Sequence, residues 1–227
     1  MYAVAIDGPS SSGKSTVAKE VAKILNVLHL NTGALYRAIG LFAYDNGLAK
    51  DVDSNNMPKL SKLDIDKIIN NVNVEVEFID GKQHTILNGE DVSNKIYTPI
   101  ISDYSSRVSA VPEIRQHILM LQRDIANKNN IVMEGRDITS HVLTDAKYKF
   151  FVTASPEVRA ERRYRELMDK NIECSYDEIL KDIKERDYRD TTRTVCPLKI
   201  VDDAIVIDTS NLTIQQAVNK ILSYIKE

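Results

Sequence analysis

Residues 8–16, Gly8-Pro9-Ser10-Ser11-Ser12-Gly13-Lys14-Ser15-Thr16, combine backbone freedom, one cation and several hydroxyls in a single short stretch. Two glycines separated by four residues, then lysine and serine, have the spacing that cradles phosphates. Gly8 and Gly13 can turn successive N–H groups inward onto one anion, with the positive end of the following helix behind them. Lys14 adds a full charge near β- and γ-phosphates, and the Ser15 hydroxyl suits a magnesium ion.

Arginines are the second group with chemical potential. Arg37, Arg136 and the cluster Arg159, Arg162, Arg163 and Arg165 lie at or just beyond segments that read as strands, and Arg186, Arg189 and Arg193 are interleaved with Asp187 and Asp190. Passing a phosphoryl group between two phosphorylated molecules gathers about four phosphates in one cleft, where catalysis is mostly alignment and charge neutralisation. Arg136 directly follows an apolar run, the place where ligands of an open α/β sheet bind. Some of the 159–165 cluster must face solvent, because one helix aims only part of such a run at one side. Tyr36, Tyr104 and Tyr188 suit packing or rim positions.

The elements that must position these groups follow from periodicity. Tyr2 to Ile6 reads as a buried strand, and Val17, Val21, Ile24 and Leu25 recur at helical spacing after the glycine loop. Residues 27–30 suit a second strand, 31–47 a turn and a helix stopped by Gly47, and 58–70 another helix. Val72, Val74, Val76 and Phe78 then alternate with polar residues, Asp80-Gly81 makes a turn, and 84–92 reads as one returning strand, an antiparallel hairpin inserted between helices. A helix carries Ile114, Ile118, Leu121 and Ile125 behind Pro112 and Glu113. Strands follow at 130–137 and 149–155, the second leading into a helix at Pro156. Ser175 and Glu178 have capping-box spacing for a helix to about Arg186. Strand 204–208 and a helix with Ile214, Val218, Ile221, Leu222 and Ile225 close the chain. Strands alternating with helices imply an α/β fold, a doubly wound parallel sheet of about five strands with helices on both faces.

The 227 residues are 43% hydrophobic, enough for one sizeable core and far from disordered or fibrous classes. A formal net charge of −3 gives no global field toward nucleic acid or acidic lipid, so neither partner is expected and any anion site must be local. Cys174 and Cys196 stand far apart outside any CxxC spacing, the pattern of reduced thiols. No signal-peptide pattern opens the chain and no apolar run is long enough for a bilayer, so a cytoplasmic, membrane-free protein is expected. A guanine-binding switch would carry NKxD, but Asn94-Lys95 is followed by Ile96-Tyr97, and Asn127-Lys128 by Asn129-Asn130.

GPSSSGKST (8–16), TGALYR (32–37), SSRVSAVPEIR (105–115), EGRD (134–137) and KERDYRDTTR (184–193) with CPL (196–198) together resemble bacterial cytidylate kinases, nucleoside monophosphate kinases of the P-loop NTPase superfamily. The resemblance spans nearly the whole chain in order and includes the hairpin insert of the bacterial form. It implies a monomeric enzyme passing the γ-phosphoryl group of ATP to CMP or dCMP, with magnesium. It implies a core at 1–35, 100–158 and 190–227, a monophosphate-binding subdomain at about 36–99 and a lid at about 159–176.

By the same resemblance, Gly8 to Thr16 hold ATP, and Thr32, Arg37, Ser106, Arg115, Arg136, Asp137, Arg186, Asp190 and Arg193 hold CMP. Arg37 and Arg136 fit the acceptor phosphate, whose oxygens a planar fork can grip in pairs. Ser106, Arg115 and Asp137 fit the base edge, Arg186 and Asp190 the ribose, and Arg193 the acceptor as well. Lys14, Arg136, Arg159, Arg163 and Arg193 are the expected catalytic set, with Arg159 and Arg163 leaning on the transferring phosphoryl from the lid. Thr32 stands where serine is common in this family. No strand ends in an aspartate of Walker-B type: 149–155 has none, and Asp7 and Asp137 sit near other strand ends. Ser15 is therefore the one metal ligand expected, with water filling most of the shell.

Overall fold

The computed structural model describes residues 2–49 and 60–225. The chain divides into two compact units, Leu28–Asn129 and Tyr2–Val27 with Asn130–Glu227. The second unit begins with β1 (Ala3–Asp7), followed after the glycine loop by α1 (Lys14–Leu25). The first unit contributes β2 (Leu28–Asn31), α2 (Thr32–Asp45), α3 (Lys62–Asn71), a hairpin β3 (Val74–Ile79) and β4 (Lys82–Leu87), a two-residue β5 (Glu90–Asp91), α4 (Pro99–Val108) and α5 (Pro112–Lys128). The second unit resumes with β6 (Ile131–Gly135), a π-helical turn Ile138–Val142, β7 (Tyr148–Thr153), α6 (Pro156–Asp169), α7 (Tyr176–Thr192), β8 (Ile205–Asp208) and α8 (Ile214–Leu222).

The structure has a five-stranded parallel sheet, in which the strands of the second unit run in the order β6-β1-β7-β8, and the first unit has a separate antiparallel sheet in the order β3-β4-β5. Within the second unit Val4, Ala5 and Ile6 are all fully buried, so both faces of β1 are covered, as parallel strands flanked by helices require. Val4, Ile6, Val132, Phe150, Val152 and Ile207 meet the apolar stripes of α1 and α8 in one cluster. Burying a side chain the size of Phe150 is worth roughly 1.5–3 kcal/mol. The parallel register sets Asp7 beside Gly135 on one side and Phe151 on the other, so the strands of this unit end together at one edge. Residues following those ends are gathered there by topology alone.

The first unit has its own core, in which Leu35, Ile39, Ile68, Ile96, Ile101, Ile114 and Ile118 pack from α2, α3, α4 and α5. Asp80 and Gly81, both at positive φ (51° and 71°), form the tight turn that matches the twist of β3 and β4.

Two readings from sequence are corrected. Residues 84–92 are not one strand: Asn88 and Gly89, at φ 50° and 84°, make a second tight turn, so β4 ends at Leu87 and β5 returns. Ser175 caps α7 in position, but its side chain makes no cap hydrogen bond, and the helix runs on to Thr192 rather than stopping near Arg186. The helix read over 58–70 is described as Lys62–Asn71, with a reciprocal box between Ser61 and Asp64 at its start, while residues 58 and 59 lie outside the described residues. Helix α4 and the π-helical turn have no counterpart in the sequence reading.

Candidate active site

The loop from Gly8 to Gly13 joins β1 to α1. Gly8 has φ 153°, and a Cβ there would stand 2.0 Å from the Val152 carbonyl oxygen, so no side chain fits. Ser11 takes the left-handed conformation (φ 57°) and Gly13 has φ 84°, the alternation that turns amides toward one point. Lys14 is 7% exposed and donates to the Pro9 carbonyl at 3.2 Å. Burial first, and the Arg136 guanidinium second, lower its ammonium to about 7; an anion brought to the loop would restore its charge.

Ser15 Oγ donates to Glu134 Oε2 at 2.7 Å, and Glu134 is 1% exposed at the end of β6. Glu134 went unrecognised as a site residue in the sequence reading. Its signal was there: it is the last charged residue of a strand that pairs with β1, and Ile6 lies opposite it. A hydroxyl and a carboxylate side by side are hard oxygen donors of the kind magnesium prefers, so these residues fit the ion. Asp7 carries a different burden. Fully buried, it accepts from Ile138 N at 2.9 Å, Thr139 N at 2.7 Å and Thr139 Oγ1 at 2.6 Å, pinning the π-helical turn behind Asp137. Burial, outweighing those donors, pushes its carboxyl up to about 6.

Arg136 leaves the end of β6 and donates through Nε to Asp190 Oδ2 at 3.0 Å. Burial raises the Asp190 carboxyl, yet Arg136, Arg186 and Arg193 together hold it below the ordinary range, so three of the expected arginines converge on one carboxylate. Arg193 also donates through Nε to the Cys196 carbonyl at 2.7 Å. Asp137 is 4% exposed next to Arg136. The two arginines expected in a lid diverge. Arg159 is 3% exposed and donates to Ala154 O, Ser10 O and both Asp187 oxygens, whereas Arg163 pairs with Glu166 on the same helix.

The other expected acceptor residues belong to the first unit. Thr32 opens α2 and is 3% exposed. Arg37 donates to Ile96 O at 2.9 Å and Ser102 Oγ at 3.0 Å, and its guanidinium lies 5.3 Å from the Tyr97 ring centroid. Arg115 donates to Ser109 O at 2.8 Å and covers the Tyr36 ring at 5.2 Å, which gives Tyr36 a part that packing alone does not describe. Ser106 lies half-buried on α4. No helix among the described residues is long and apolar enough to cross a membrane.

Comparison with known proteins identifies the family. A family model described as cytidylate kinase matches residues 4–227. A cytidylate kinase of Caldicellulosiruptor saccharolyticus is 42% identical over 219 residues, covering 96% of this chain and 93% of its own. One from Clostridium botulinum is 45% identical over 224 residues, covering 98% and 97%. Among solved structures, an uncharacterized protein from Eubacterium ventriosum matches 98% of this chain and 97% of its own at 15% identity with a TM-score of 0.50, a likeness of fold alone. With a match that runs from the glycine loop to the last residues, the chain belongs to the cytidylate kinase family.

Proposed function

We propose that the protein transfers the γ-phosphoryl group of ATP to CMP or dCMP, giving ADP and CDP or dCDP. One observation carries this reading most directly. Within the second unit, Arg136 lies two residues after Glu134, which accepts from Ser15 of the glycine loop, and pairs with Asp190, so the arginine cluster lies beside the donor nest. Such a cluster suits a second phosphorylated group brought up to the donor, where the charge of both must be neutralised.

In the reaction, an oxygen of the CMP phosphate attacks the γ-phosphorus in line. The bond from that phosphorus to the β–γ bridging oxygen breaks, and ADP leaves with the electron pair. The acceptor phosphate is already largely ionised near neutral pH, so the step needs no dedicated general base. Gly8 to Thr16 orient the donor, Lys14 bears on its β- and γ-oxygens, and Arg136 and Arg193 steady the charge spread over the transferring group. Arg163, whose present partner Glu166 is on its own exposed helix face, is the lid residue best able to exchange a carboxylate for phosphate. Ser15 and Glu134 would hold magnesium, which supplies charge neutralisation at the donor's phosphates. Thr32, Arg37, Ser106, Arg115, Asp137, Arg186 and Asp190 are assigned to the acceptor, with Arg37 and Arg136 on its phosphate. Ser106, Arg115 and Asp137 read the base, because buried donors and acceptors left unpaired by the wrong base discriminate strongly.

The test is ADP release from ATP and magnesium against CMP, dCMP, UMP, AMP and GMP. CMP and dCMP should give the highest kcat/KM. Comparable values for UMP would reject the base-reading assignment while leaving the kinase in place, and no turnover with any acceptor would reject the function.

A further inference from the structure

Two carbonyls of the phosphate loop accept hydrogen bonds from side chains of α6. Arg159 and Arg162 stand three residues apart on α6 and so share a face of that helix. Arg159 donates through Nη1 to the Ser10 carbonyl at 3.3 Å, and Arg162 donates through Nη1 to the Ser12 carbonyl at 3.3 Å. These carbonyls flank Ser11, the non-glycine residue of the loop held in the left-handed conformation. In a planar trans peptide the carbonyl points opposite to the N–H of the next residue. Fixing Ser10 O therefore fixes the direction of the Ser11 amide, and fixing Ser12 O fixes that of Gly13.

Both arginines are themselves anchored. Arg159 is tied to Ala154 O by Nε at 2.9 Å and gripped by both oxygens of Asp187 on α7. Arg162 donates to Thr209 Oγ1 at 3.0 Å and Thr209 O at 2.7 Å, just beyond β8. The Thr209 hydroxyl lies 3.0 Å from both Ser12 O and Thr153 O, so its single hydrogen serves one of them. The loop does not brace itself here: the buried hydroxyls of Ser10 and Ser12 have no hydrogen-bond partner.

We propose that Arg159 and Arg162 are positioning residues that clamp the outward carbonyls of Ser10 and Ser12, keeping the Ser11 and Gly13 amides turned toward the donor's phosphates, with Asp187 and Thr209 completing the clamp. This rests on the reading of the loop as the ATP site. It makes the helices α6 and α7 part of what shapes the anion nest, and it gives Arg159 a task behind the loop in place of one over the transferred group.

The experiment compares binding of ATP and of inorganic tripolyphosphate by calorimetry, with KM for CMP measured alongside. Arg162→Ala should weaken both probes by the same factor, about 10-fold or more, because each lost bond involves a charged donor. Thr209→Val should act in the same direction, and for these two variants KM for CMP should stay essentially unchanged; Arg159→Gln should also weaken both probes. Arg162→Lys should recover only part of the loss, since one ammonium cannot serve Ser12 O and Thr209 O in the geometry of a fork. Weaker ATP binding with normal tripolyphosphate binding would make Arg162 a nucleoside contact and overturn the clamp, as would unchanged binding of both probes. If Arg162→Ala fails to fold, Thr209→Val, which removes one hydroxyl, carries the same comparison. A wild-type protein that binds neither probe would sink the ATP-site reading, and the clamp with it.

Discussion

At the scale of single residues, Arg136, just past β6, and Asp7, the last residue of β1, show how charged groups at strand ends can mean opposite things. Arg136 is ion-paired to Asp190 yet presents a guanidinium at the edge where the strands of its unit finish. Arg136→Ala should lower kcat with CMP on the order of 10³-fold if it steadies the transferring group. Arg136→Lys, keeping charge and losing the fork, should fall between the two in steady-state assays; near-normal turnover of the alanine variant would remove the residue from the site. Asp7, by contrast, is structural. Its carboxyl, raised to about 6 from 3.8, binds its proton more tightly folded than unfolded. The stability it contributes is therefore full below about pH 4 and lost as pH rises through 6. Asp7→Asn removes that dependence and sets an amide N–H against the backbone donors of Ile138 and Thr139, so the variant is destabilised overall. Its deficit should shrink by about 2 kcal/mol between pH 4 and pH 6.5 in urea unfolding. A deficit independent of pH would mean Asp7 titrates at its ordinary value.

At the scale of elements, close approach decides what the helices tolerate. In the first unit α2 crosses α4 at Gly40, where a Cβ would lie 2.8 Å from the Ser105 backbone nitrogen. Alanine would ordinarily favour a helix interior over glycine by about 1 kcal/mol. Here the neighbour is backbone and cannot swing aside, so overpacking of about 1–3 kcal/mol should win, and Gly40→Ala should lower the urea midpoint of unfolding. The strands and helices of the second unit are legible in sequence because short apolar runs and the glycine loop are local signals. The remainder is not local. Pro99–Val108 buries Ile101, Tyr104, Ser105 and Val108 at helical spacing, but over only 10 residues and with a serine in the stripe, a shorter pattern than the helices read from sequence. The π-helical turn is set by Asp7, 131 residues earlier than Ile138. Glu134 could be read within EGRD, but its partner Ser15 is 119 residues away, so its place beside that hydroxyl emerges only when β6 lies against β1.

At the scale of the whole molecule, the two units have separate cores, and the residues assigned to the two substrates divide unequally between them. Every donor residue, from Gly8 to Thr16, is in the second unit, and so are the clamp residues Arg159, Arg162, Asp187 and Thr209. The acceptor set draws on both: Thr32, Arg37, Ser106 and Arg115 from the first unit, and Arg136, Asp137, Arg186, Asp190 and Arg193 from the second. Because a ligand protects amides in the segments it orders, hydrogen exchange separates these assignments. ATP alone should slow exchange in the glycine loop, α1 and α6 and leave α2 and α4 as they are. CMP alone should slow the first turns of α2 and the Ser106 segment of α4 together with the residues after β6 and the end of α7. Protection by CMP confined to the second unit would strike Thr32, Arg37, Ser106 and Arg115 from the acceptor set and leave base reading to Asp137. Protection by UMP equal to that by CMP, at matched saturation, would show that the first unit grips the sugar and phosphate without reading the base.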